Sequence, residues 1–195
     1  MISGTLSLLD QTELLQLALE ANRNGEAGSS IAYLKEAVSR PDATANAHFL
    51  LGAECAQIKL YDRAVSEMEA AIALDPGLSI ARFQLGLLWL TSGAPERALQ
   101  VFAPLTELAE HDSLRLFGEG LCALIRNEFD EAVRLLESGI VLNQSNEALN
   151  GDMRTMLAEL ARVRAMGHEE VPGANPDNED IHHVLLSAYT GNTSH

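Results

Sequence analysis

Along most of the chain apolar side chains return every three or four positions, the period of a helix with one buried face. Leu51 and Cys55 form one such stripe and Ala64, Met68 and Ala71 a second, with a break at 59–61 between them. Two short helices joined by a tight turn are therefore predicted. The pattern copies itself at a step of 34 residues, as Gly52, Gly86 and Gly120 recur with Ala18 one step earlier. The same step carries Leu17 to Leu51, Leu85 and Glu119; Ser30 to Ala64, Ala98 and Ala132; and Ala37 to Ala71, Leu105 and Gly139. A glycine inside a helix costs about 1 kcal/mol relative to alanine, so its recurrence points to packing: antiparallel helices approach closely where a side chain is reduced to a hydrogen or a methyl.

Four units follow, at 11–44, 45–78, 79–112 and 113–146. Asp10 with Glu13 has the spacing of a capping box, Pro95 after Ser92-Gly93 suits a first helical turn, and Pro76-Gly77 closes the second unit. Beyond them, 147–167 is predicted as a helix with Met153, Leu157, Leu160 and Val163 on one stripe and a polar back, the cap a repeat array needs. Residues 168–178 turn to Pro, Gly, Asn and acids with no Lys or Arg, which predicts an acidic flexible linker. Residues 179–195 are predicted as a short amphipathic helix and tail, with Ile181, Val184, Leu185 and Tyr189 on one face and Asp177 or Asn178 as its cap. So short a helix needs its apolar side buried, so this face is expected to dock in a groove, on the capping helix or in a homodimer contact.

In its repeat the chain resembles the tetratricopeptide family, whose pattern has Leu-Gly, an aromatic, a small Ala, a second Ala and a Pro. Leu51-Gly52, Tyr61, Ala64, Ala71 and Asp75-Pro76 stand in those places in the second unit, and Leu85-Gly86, Trp89, Gly93, Ala98 and Phe102 carry the third. Ser30 departs from the small Ala, Glu119 from the Leu, and His48 stands where Trp is common. The resemblance implies an all-α, helical-hairpin solenoid of about four repeats plus a C-terminal capping helix.

It also implies that the first-helix face turned away from the second helix lines a groove for another polypeptide. On that face Leu15, Phe49, Phe83 and Phe117 form one row and Leu19, Ala53, Leu87 and Leu121 the next, extended by Leu90 and Leu124. An exposed apolar row predicts a binding surface for a peptide or helix with apolar side chains. The same side chains could instead fill space between neighbouring helices, and both readings stand at this point. The Lys, Arg and Asn clamp by which family members hold a peptide carboxylate has no counterpart in these slots. In architecture, charge and groove the chain also resembles the small acidic tetratricopeptide chaperones of bacterial secretion systems.

Charge narrows the partners. Thirteen Lys and Arg against 28 Asp and Glu give a net charge of -15, which repels nucleic acid and anionic membrane surfaces. Met1 to Leu9 lacks the basic and apolar regions of an export signal and no run reaches membrane-spanning length, so a cytoplasmic protein is expected. Cys55 and Cys122 have no paired-ligand spacing, and the six His residues show no two-His helical spacing beside an acid or Cys. With no phosphate-cradling loop or nucleophile elbow, no catalytic residue, metal site or cofactor is nominated. The expected function is a non-catalytic adaptor or chaperone; the alternative is a structural subunit whose apolar row or C-terminal helix forms a permanent homo-oligomer interface.

Overall fold

The structure, a computed structural model, describes residues 6–167. Among them every regular element is helical: α1 (Gln11–Arg23), α2 (Ala27–Val38), α3 (Ala45–Gln57), α4 (Tyr61–Leu74), α5 (Ser79–Thr91), α6 (Pro95–Phe102), a 3-10 turn (Ala103–Glu107), α7 (Ser113–Ile125), α8 (Phe129–Leu142) and α9 (Glu147–Gly167). First helices start at 11, 45, 79, 113 and 147 and second helices at 27, 61, 95 and 129, each 34 residues after the last.

The residues before the first helices explain the regular starts. Asp10 and Glu13 close a reciprocal capping box, Thr44 Oγ1 accepts from the Ala47 amide, and Asp112 Oδ1 accepts from the Leu114 amide at 2.8 Å. Asn146 Oδ1 accepts from the Leu149 amide at 3.0 Å. Each satisfies an amide that the helix itself leaves without a carbonyl. The turns between first and second helices repeat as faithfully. Gly25, Lys59, Gly93 and Asn127, again 34 apart, all have left-handed backbone, with φ of 75°, 62°, 79° and 63°. The next residue's amide reaches back five positions in each case: Glu26 to Ala21, Leu60 to Cys55, Ala94 to Trp89 and Glu128 to Ala123, at 2.8–2.9 Å.

Lys59 and Asn127 carry a Cβ where Gly25 and Gly93 do not. Left-handed backbone costs a non-glycine residue about 1 kcal/mol or more. Lys59→Gly, at an exposed turn, is therefore expected to stabilise the chain by about 0.5–1 kcal/mol, read as a higher urea midpoint at unchanged slope; a lower midpoint would contradict this account of the turn.

The chain divides into two compact units, one ending at Leu85 and the other starting at Gly86. In the first, α1 pairs with α2, α3 with α4, and α2 with α3. Leu14, Ala37 and Ala47 meet in its core, with Leu6, Leu9 and Tyr33 against them, and a Cβ on Gly52 would lie 3.1 Å from Met68 Cε and 3.2 Å from the Ala64 carbonyl. Arg40 ties the chain start down by donating to the carbonyls of Leu6 and Leu9. In the second unit α7 pairs with α8, α6 and the 3-10 turn pack on α7, and α9 packs on α8. Pro104, which lacks an amide and crowds the preceding turn, accounts for α6 ending at Phe102 and tightening into the 3-10 turn. Large and small residues alternate across this core: Phe102 over Gly86, Leu105 over Gly118, Leu136 over Gly120 and Phe117 over Gly139.

Candidate functional site

Three residues depart from the family pattern, and each has a polar partner. Ser30, fully buried, donates to Glu54 Oε1 at 2.9 Å, and Asn22 Nδ2 donates to the same oxygen at 2.5 Å. Glu54 Oε2 is buried with no protein partner. This node joins α1, α2 and α3. His48 Nδ1 lies 2.6 Å from Oε2 of buried Glu67, whose other oxygen pairs with Arg63. Glu119 accepts from Arg115 at 2.9 Å. Sequence reasoning missed Glu54 and Glu67 as buried groups. The available signal was Glu54 itself, a carboxyl in the slot that Leu88 and Cys122 occupy in later units.

The node holds α1 beside α3 and so sets the first-helix face of the first unit. Leu19 is 40% exposed there, Leu15 is half-buried at the edge of the Leu14–Ala37–Ala47 core, and Phe49 and Ala53 are half-buried at the equivalent positions of α3. Thr12, Leu15, Gln16, Leu19, Glu20 and Arg23 line a concavity of about 390 Å³ on α1. Its walls combine two leucines with polar side chains and one guanidinium.

The other six residues predicted for an open groove are corrected by the structure: Phe83, Leu87, Leu90, Phe117, Leu121 and Leu124 are all buried. The reason is visible at Phe117. Gly139 leaves a hole on α8, and the Phe117 ring fills it so closely that a Cβ on Gly139 would lie 2.5 Å from Phe117 Cε1. A first helix is also covered on more than one side: α7 meets its own second helix α8, and also α6 and the 3-10 turn. Its buried arc thus takes in Phe117, Gly118, Gly120, Leu121, Ala123 and Leu124, wider than one Leu-Gly stripe. The row is half-buried at Leu15 and Phe49 and fills the interior at Phe83 and Phe117. Ile181, Val184, Leu185 and Tyr189 lie outside the described residues.

Burial pushes both thiols above the usual cysteine range, with Glu67 adding to the effect at Cys55, so neither is poised as a nucleophile. Cys55 is buried and Cys122 half-buried. Among the described residues no group of three or more His, Cys, Asp or Glu is placed to hold a metal ion, and no helix is long and apolar enough to cross a membrane.

Paired helices at a 34-residue step, glycines under the second helices and left-handed turns define a helical-hairpin repeat protein, and the fold is that of the tetratricopeptide repeats. Solved structures agree. A crystal structure of MamA matches at 22% identity over 71% of this chain and 81% of that chain, with a TM-score of 0.58. A MamA fragment from Desulfovibrio magneticus RS-1 matches at 16% identity over 94% and 97% of the two chains, with a TM-score of 0.59. YrrB, described as a TPR protein with an unusual peptide-binding site, matches at 17% identity over 70% and 71%, with a TM-score of 0.55. These likenesses are of fold. No family model matches the sequence, and no curated protein matches it significantly.

Proposed function

We propose that the chain is a protein-interaction module, an adaptor or chaperone, that takes a peptide or helix with apolar side chains on the α1–α3 face of its first unit. The observation that carries this reading is Leu19, 40% exposed beside Leu15 in the wall of a concavity of about 390 Å³. A leucine left in water at the rim of a hollow gains on being covered, at about 25 cal/mol per Å² of apolar surface removed. Phe49 and Ala53 extend the face on α3, while Thr12, Gln16, Glu20 and Arg23 supply the polar rim that fixes a bound segment's direction. The fold supports the reading, since a neighbour of the same fold is described as having a peptide-binding site.

Selection of a displayed random-peptide library on the immobilised chain tests it. Enriched peptides are expected to carry recurrent apolar positions and to bind Leu19→Asp at least about tenfold more weakly, with circular dichroism showing the variant still folded at the assay temperature. Val141→Asp, at a residue 75% exposed in the second unit, should bind as the wild type does. Failure to enrich any peptide, or equal binding by Leu19→Asp, would remove this face from consideration. A dimer that persists on dilution in light scattering and is broken by Leu19→Asp would replace the receptor by a permanent homo-oligomer interface.

A further inference from the structure

Helix α9 starts 34 residues after α7 and so holds the place of the first helix of a fifth repeat. It differs from the other first helices at several slots, among them that of Leu15, Phe49, Phe83 and Phe117, where it has Gly151. Arg154 occupies the position of Gly52, Gly86 and Gly120, and Ala161 that of the left-handed turn residues Gly25, Lys59, Gly93 and Asn127. The helix runs straight through that turn position and reaches 21 residues, against 13 in α1, α3, α5 and α7.

One side of α9 is occupied. Leu149, Met153, Met156 and Leu160 are buried, and α8 is fixed along it by the Asn143–Asn150 hydrogen bonds at one end and Arg164 to Asp130, 2.8 Å, at the other. The opposite side carries Arg154, which is exposed and paired with Glu147. Ala158, Ala161 and Ala165 are exposed, Leu157 is half-buried at their edge, and a Cβ on Gly151 would meet nothing within 4 Å. In the complete hairpins the corresponding side carries a second helix, as Gly120 does beneath Leu136.

We propose that segment 179–189 of the same chain fills this place, docking its Ile181, Val184 and Leu185 face along Leu157, Ala158 and Ala161 as a second helix displaced in sequence. The chain beyond α9 has the length for it. The eleven residues 168–178 span up to roughly 35 Å, enough to turn back along a helix of 21 residues, about 31 Å long. Arg154 keeps a docked segment farther out than the second helices of the complete hairpins, over Leu157, Ala158 and Ala161, and an amphipathic helix of three turns is held in water only by covering its apolar side.

Hydrogen-exchange mass spectrometry on the full chain tests the docking. Amides of 181–189 should exchange at least about tenfold more slowly than an unstructured chain. Ala161→Arg, on an exposed helical position, should return them to the unstructured rate while α1–α8 keep theirs, and Ile181→Asp should do the same without touching α9. Unprotected amides in the wild type, or protection that survives both variants, would overturn the proposal. So would protection that rises with protein concentration, which would assign the segment to a second copy. Peptide binding at Leu19 does not enter either outcome.

Discussion

Phe117→Ala is expected to destabilise the chain by about 3–5 kcal/mol, the range for emptying a fully buried aromatic site. Phe117 has no exposed surface and its ring fills the space that Gly139 leaves on α8, so removing the ring opens a cavity in the core. Chemical denaturation should show a lower midpoint, and calorimetry a melting temperature down by about 10 °C or more. Were the row of phenylalanines an open binding surface, the same change would leave the melt within about 0.5 kcal/mol of wild type. A null effect on stability would therefore restore the groove reading at this position.

The second large effect comes from adding a single methyl. In Gly86→Ala the new Cβ would lie 2.3 Å from Phe102 Cε1 and 2.6 Å from its Cζ. Phe102 is itself buried, and in so dense a core its ring has no free rotamer to take. The change is expected to cost about 1–3 kcal/mol in spite of alanine's advantage of about 1 kcal/mol within a helix. The pair Gly86→Ala with Phe102→Leu separates sterics from propensity. Shortening the ring makes room for the methyl, so the double variant should be more stable than the sum of the two single changes by at least about 1 kcal/mol. Strict additivity in urea melts would show that the glycine is there for another reason.

The repeat could be read from sequence because it rests on local rules. A 34-residue step in Gly52, Gly86 and Gly120, the capping box at Asp10 and Glu13, and Gly25 and Gly93 between apolar runs are each decided within a few residues of chain. Which arc of a first helix is covered is decided by side chains on the neighbouring helices, too far along the chain to enter a local pattern. The slot shared by Leu15, Phe49, Phe83 and Phe117 has one periodicity but different surroundings. On α7 the facing residue is Gly139 and the ring goes inward, whereas Leu15 on α1 stops half-covered at a core edge. Gly139, standing where Ala37 and Ala71 stand in earlier units, was the one local hint of that hole. The buried carboxyls were hidden for the same reason: Glu54 is satisfied by Asn22 and Ser30, 32 and 24 residues away, and only the folded hairpins bring them together. The departures at Ser30 and His48 marked where to look, since a polar residue in an apolar slot requires a buried partner.

Arg154 has a consequence for how such a gene can grow. Tandem duplication of residues 113–146 would place a glycine-bearing first helix after α8, in a seam that the chain already builds, and the longer product should fold. Copying 147–167 would instead seat a guanidinium where a neighbour needs a hydrogen atom, on a rod with no bend at position 161. Recombination can thus lengthen the molecule upstream of this helix but not through it.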